Sequence, residues 1–270
     1  MLFRSDALPM RTLEHHEFAH DSAWMPSLIE LRALSRMQRD KLIGTIENYR
    51  KEFGGDFLCA LLCSKANCDR IASHLSGIQL AKGRGRQRAW LRFHDPRVQL
   101  QIQRILSLGE LAALCGPIDI WRICLNGVWH ELKCPREGNA PIASLRYTQS
   151  HWEALQRVGV VNRALARLGI RDYDAIVEIS PVLDELAHRA AVRHGIDRTS
   201  DLVEYVCLGA KTHPHFDEHS IVLQAIENEK NTREVGDEDG YVIDALNTID
   251  DTKWQRIKQE LQLQNETGTI

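Results

Sequence analysis

Four potential metal ligands crowd one short stretch of this chain: His213, His215, Asp217 and His219, arranged around Pro214. Imidazole and carboxylate together suit a divalent transition metal, provided the loop folds back so that the four converge. That arrangement would support a metal-dependent hydrolase or nuclease. The competing reading makes the stretch a helix-to-helix turn, with Asp217 as a helix cap and the histidines at the surface. The order is not HExxH, which would set two ligands and a base on one helical face. A second group, His15, His16 and His20, lies in a polar N-terminal segment.

Other residues suggest chemistry and then fail on spacing. Cys59, Cys63 and Cys68, with His74 nearby, invite zinc. Cys59 and Cys63, however, sit in an all-apolar strand pattern about 13 Å apart, too far to share a tetrahedral ion. Lys82-Gly83-Arg84-Gly85-Arg86-Gln87-Arg88 could neutralise phosphates, but Trp90 is its only adjacent aromatic and the run lies between two strand patterns. A solvated hairpin loop is the better reading. Arg92, His94, Asp95 and Arg97 look like an acid–base set. Asp95-Pro96, however, reads as a helix cap followed by a first-turn proline. The two arginines are suited to holding acidic groups or carbonyls. No serine or cysteine stands in a nucleophile elbow, and Gly83-Arg84-Gly85 lacks the third glycine and following helix of a phosphate-cradling loop. The reading is of a chain with no catalytic site, no metal and no cofactor.

These residues must be positioned by recognisable elements. Leu28–Leu31 is a short strand pattern, and Ser35 caps a helix that Gly54-Gly55 ends. Phe57–Cys63 is apolar at every position, as expected of a strand covered on both faces in a parallel sheet. Ser64 opens a helix through Ile71 and Leu75 to Gly77. Ile78–Ala81 and Trp90–His94 follow as strands, the latter alternating Trp90, Arg92 and His94 against Leu91 and Phe93. Val98, Ile102, Ile105 and Leu106 share a helical face, Ser107 with Glu110 forms a capping box, and Gly116-Pro117 stops the helix. Ile118–Leu125, Asn126-Gly127 and Val128–Leu132 then read as a type I′ hairpin. From Thr148 the pattern is helical: Trp152 to Leu168, a helix begun by Ser180-Pro181 and ended by Gly195, then about Ser200 to Ala210 and Ile221 onward. Residues 229–240 read as an acidic linker, and Trp254, Ile257 and Leu261 mark a last amphipathic helix. The expected fold is an α/β lobe with a mixed sheet and packed helices (1–144), an all-α lobe (145–228), then linker and terminal helix (229–270).

Composition narrows the function classes. With 270 residues and 43% hydrophobic side chains, the chain can bury a large core. A net charge of −3 gives no general drive toward nucleic acid or an anionic membrane. Phe57–Cys63, the longest apolar run, is far short of the roughly 20 residues that span a bilayer. Met1-Leu2-Phe3 runs straight into Arg4, without the apolar core of a secretory signal, and seven cysteines lack a disulfide-framework spacing. A cytoplasmic location is expected.

The run Leu91-Arg92-Phe93-His94-Asp95-Pro96-Arg97-Val98, the helical pair after it, Cys115-Gly116-Pro117-Ile118 with Trp121, and Gly127 with Trp129 resemble the signature of bacterial type VI secretion effector adaptors. The resemblance extends upstream to Met25–Leu31 and, loosely, downstream to Asp201–Tyr205 and His213–Asp217. Family members usually open with an apolar strand ending in aspartate; here only Met1–Ala7 could stand for it. The resemblance implies a non-enzymatic adaptor or chaperone that binds one cognate effector toxin and loads it onto the VgrG spike. It implies no cofactor, nucleic acid or membrane. Arg92, Phe93, Asp95, Pro96, Arg97, Gly116, Pro117, Trp121 and Trp129 are the signature residues, with Trp121, Trp129 and Arg97 as candidates for a shared partner surface.

Overall fold

The computed structural model describes residues 8–15, 17, 25–83, 85–135, 147–232 and 241–266. The chain divides into two compact units, Met1–Leu155 and Gln156–Ile270. The expected Met1–Ala7 strand, His16 and His20, and most of the acidic segment lie outside the described residues.

In the first unit, β1 (Met10–Thr12) pairs antiparallel with β2 (Ser27–Ile29). The helix α1 (Arg36–Phe53) begins at a full capping box between Ser35 and Gln38 and ends at Gly54, whose φ of 66° only glycine adopts readily. Its Leu42 packs with Leu8 and Leu34, and Ile29, Ile46 and Phe57 close around them. After β3 (Ala60–Cys63), α2 (Cys68–Ile78) is capped by Asn67 rather than by Ser64. Ser64 Oγ instead donates to the Pro117 carbonyl at 2.5 Å. β4 (Leu80–Lys82) and β5 (Arg88–Trp90) pair antiparallel with Lys82 opposite Arg88, so the two ends of the basic run are paired strand residues.

The signature strand stops at Trp90, four residues earlier than the alternation predicts. Leu91 N donates to Gln79 O, and Phe93 N and Asp95 N then donate locally to Leu91 O and Arg92 O, which coils the chain toward its next helix. That helix, α3 (Pro96–Ile105), is followed by α4 (Leu108–Cys115), which opens on the expected Ser107–Glu110 capping box. β6 (Ile120–Leu125) and β7 (Val128–Leu132) join through Asn126 and Gly127, both at positive φ, as a type I′ turn requires. The sheet order is β3-β6-β7, with Leu62 opposite Trp121 and Trp121 opposite Leu132.

An α/β region followed by a helical one is what the sequence implies, but every strand pairing among the described residues is antiparallel. Phe57–Cys63 in particular is not a parallel strand covered on both faces. β3 is the edge of its sheet, and none of the seven residues is fully buried. The uniform apolar pattern reports the chemistry of what covers a strand, and cannot say whether this chain supplies the cover.

In the second unit the described elements are helical. α5 (Gln149–Leu168) runs through the boundary between the units. α6 (Tyr173–His194) starts at an Asp172 cap and carries Pro181 in its interior, so Ser180-Pro181 does not begin the helix. Proline removes one backbone donor there, while Ser180 Oγ donates to Ile176 O at 2.6 Å. α7 (Thr199–Lys211), a 3-10 turn at Phe216–Glu218, α8 (Ser220–Thr232), α9 (Tyr241–Asn247) and α10 (Asp251–Glu266) follow. Leu183, Leu186, Tyr205, Val206, Phe216, Val222 and Ile257 form the innermost layer. The terminal helix therefore packs within this unit through Ile257 and Leu261. α9 is unanticipated, although Val242, Ile243, Ala245 and Leu246 carry a helical spacing that could have revealed it.

Candidate functional site

The centre of the signature is a carboxylate held by two arginines. Asp95 caps α3 through a bond from Arg97 N to Oδ1 at 3.0 Å, and the Arg97 side chain closes on the same carboxylate with Nε to Oδ1 at 3.0 Å and Nη2 to Oδ2 at 2.8 Å. Arg92 Nη2 adds a contact to Oδ2 at 3.3 Å. Burial works against ionisation of Asp95, but the Arg97 hydrogen bonds and charge outweigh it and hold the carboxyl below its ordinary range. Pro96 occupies the first helical turn, as its fixed φ favours. The two arginines and the carboxylate together brace a helix start. Both guanidinium groups remain largely exposed, so either can also face solvent or a partner.

The remaining signature residues divide between core and surface. Phe93 is buried and meets Trp121 edge-on at 5.9 Å. Trp121, a candidate for a partner surface, is 2% exposed: its position opposite Leu62 on the central strand turns most of it into the core. Trp129, on β7 and paired with Cys124, is 39% exposed and stays available. Gly116 ends α4 at φ 52° and ψ −116°, a conformation closed to other residues, and a Cβ there would collide with the His74 ring. Pro117 follows half-buried and gives its carbonyl to Ser64.

The first unit carries an apolar groove of about 660 Å³. One side is the segment around β2, from Pro26 to Arg32, and the other is the length of Phe57–Ser64 with the free edge of β3. Ile71, Leu75, Phe93, His94 and Trp121 also line it. Two of these carry buried polar atoms, Trp121 Nε1 and His94 Nδ1, that have no hydrogen-bond partner among the described residues. Burial pushes the His94 imidazolium toward its neutral form, with Arg92 adding repulsion. The groove thus combines apolar walls, a strand edge able to pair with another strand, and a few polar atoms. These are the features that accept an extended peptide.

The histidine-rich segment does not converge on a metal. Among the described residues no group of three or more His, Cys, Asp or Glu side chains could hold one. Asp217 is fully buried, lying 3.1 Å from Arg189 Nη2, 3.4 Å from Arg193 Nη1 and 3.3 Å from His194 Nε2. Burial opposes its charge, yet the His194 hydrogen bond and the Arg189 charge hold its pKa at about 2. It is an internal anchor, not a helix cap. His213 and His219 are buried rather than superficial: His213 Nδ1 accepts from His215 N at 3.1 Å, and His219 Nε2 meets Glu260 at 2.9 Å. Only His215 of the three is partly exposed, with Nδ1 near Arg189 at 3.1 Å. Cys59, Cys63 and Cys68 are free thiols; Cys63, in β3, and Cys59, just before it, are exposed.

Residues 5–113 match the model of a family described as "Domain of unknown function (DUF4123)". The match spans the groove's two sides and the Arg92–Arg97 cluster, and ends within α4, before Gly116. No curated protein and no solved structure matches the chain. No described helix is long and apolar enough to cross a membrane.

Sequence reasoning located the Asp95 cap, the two arginines and the hairpin. It missed the groove, because the apolar run Phe57–Cys63 was assigned to the interior. The one available signal was that a seven-residue apolar strand must be covered by something.

Proposed function

We propose that this protein is a cytoplasmic, non-enzymatic adaptor that holds a cognate type VI secretion effector and delivers it to the VgrG spike. The observation that carries the reading is the apolar groove bordered by the uncovered edge of β3. The matched family is known among type VI secretion effector adaptors, and the matched span contains both the groove's sides and the Arg-Phe-His-Asp-Pro-Arg core that suggested the same class. An adaptor needs a surface that stays unsatisfied until its client arrives, and a half-covered apolar strand beside a concave wall is such a surface. Trp129 and the outer faces of Arg92 and Arg97 are a second candidate contact, suited to the spike.

The test is affinity capture of the tagged chain from a bacterium expressing its secretion system, scored for a spike protein and a toxin. Leu61→Asp and Leu28→Asp, on opposite sides of the groove, should each reduce toxin recovery at least tenfold while leaving the circular dichroism spectrum unchanged. Failure to recover either partner with the wild-type chain refutes the adaptor reading. Equal toxin recovery with folded groove variants refutes the groove as the client site.

A further inference from the structure

Cys115 is the last residue of α4 and Cys134 lies two residues beyond β7, nineteen positions apart in sequence, yet their sulfurs are 2.7 Å apart. Both backbones are fixed close by. Gly116 N donates to Ala112 O at 2.9 Å, and Lys133 N donates to Gln103 Oε1 at 3.1 Å. A disulfide needs the sulfurs at about 2.05 Å, so little movement separates this pair from a bond. We propose that Cys115 and Cys134 are a reversible dithiol–disulfide site that clamps the end of α4, beside the Gly116-Pro117 turn, to the end of the β6–β7 hairpin.

The two thiols differ in the way such a site requires. Cys134 is only half-buried, whereas Cys115 is buried. A hydrogen bond from Cys115, with a further one from the Trp121 backbone N–H, favours the Cys134 thiolate against the cost of burial, while the Cys115 thiol is pushed up. With a small-molecule disulfide such as oxidised glutathione as oxidant, the Cys134 thiolate attacks one glutathione sulfur and expels the other half as a thiolate. Cys115 then loses its proton to solvent and attacks Cys134 Sγ, releasing the second glutathione. Two protein thiols are oxidised, one disulfide is reduced to two thiols, and the exchange reverses when reduced thiol is in excess. Cys59 and Cys63 are more exposed but four positions apart in extended chain, too far to join each other.

The experiment equilibrates the full chain with oxidised glutathione and maps its peptides under non-reducing conditions. A linked pair of peptides carrying Cys115 and Cys134 is expected, lost on adding dithiothreitol. Cys115→Ser should abolish the link and leave glutathione trapped on Cys134. Cys134→Ser, at the less buried position, should abolish the link as well. The oxidised wild type should melt roughly 5–10 °C higher than the reduced protein, and Cys134→Ser should show no such change. Glutathione on Cys59 and Cys63 without any Cys115–Cys134 link overturns the proposal, because the oxidant would then have reached the protein and passed the pair by. So does a melting shift that persists in Cys134→Ser.

Discussion

Gly116→Ala tests the geometry of the signature turn most directly. At φ 52° and ψ −116° the backbone lies in a region that an L-residue enters at a cost of about 1–3 kcal/mol. The new methyl would also fall within the His74 ring, closer than any real side-chain contact. That ring is anchored: its Nε2 lies 2.8 Å from the Leu114 carbonyl, to which it donates as a neutral imidazole, and burial disfavours its protonation. Displacing it forfeits a hydrogen bond worth about 0.5–1.5 kcal/mol. The combined loss is about 2–4 kcal/mol, to be read from urea unfolding followed by circular dichroism at an unchanged slope. A double-mutant cycle with His74→Ala separates the parts. Once the ring is gone only the backbone cost remains, so Gly116→Ala should be milder by about 1 kcal/mol in that background. A substitution tolerated within 0.5 kcal/mol, or a cost unchanged by removing His74, refutes the reasoning.

Further tests follow from the buried charges and caps. Asp95→Ala should lose about 2 kcal/mol in chemical denaturation and Asp95→Asn distinctly less, because asparagine still caps α3 while giving up the arginine pairs. Asp217→Asn should cost about 3 kcal/mol by the same measurement, since it strands Arg189 and His194 around a neutral group. The native Asp217 carboxyl ionises near 2 against 3.8 unfolded, so the folded state binds fewer protons between those values. Its contribution, about 2 kcal/mol, is complete above roughly pH 5 and disappears as the pH falls to 2; a stability curve as flat in wild type as in Asp217→Asn below pH 4 would contradict this. The lowered values of His74, His94 and His213 act in the same direction at higher pH. Stability should decline as the pH drops below about 6.5, and His74→Gln should flatten part of that slope.

Local chemistry was legible in the sequence wherever neighbours in the chain complete it. The Asp95-Pro96 helix start, the Ser35 cap, the Ser107–Glu110 capping box and the Asn126-Gly127 turn each need only residues within a few positions, and each stands where the sequence places it. What required contacts across the chain could not be read. Whether Phe57–Cys63 is interior or edge depends on the strands beside it, and an apolar residue looks the same in both places. Trp121 became core, and Asp217 a buried anchor, only when Phe93 and the α6 residues Arg189, Arg193 and His194 folded against them. The Cys115–Cys134 contact joins a helix end to a strand end across nineteen residues. The sequence determined where elements begin, turn and stop, because those energies are short-range. Tertiary structure alone decided which side chains are enclosed and which groove is left open, because burial is a property of the assembled whole.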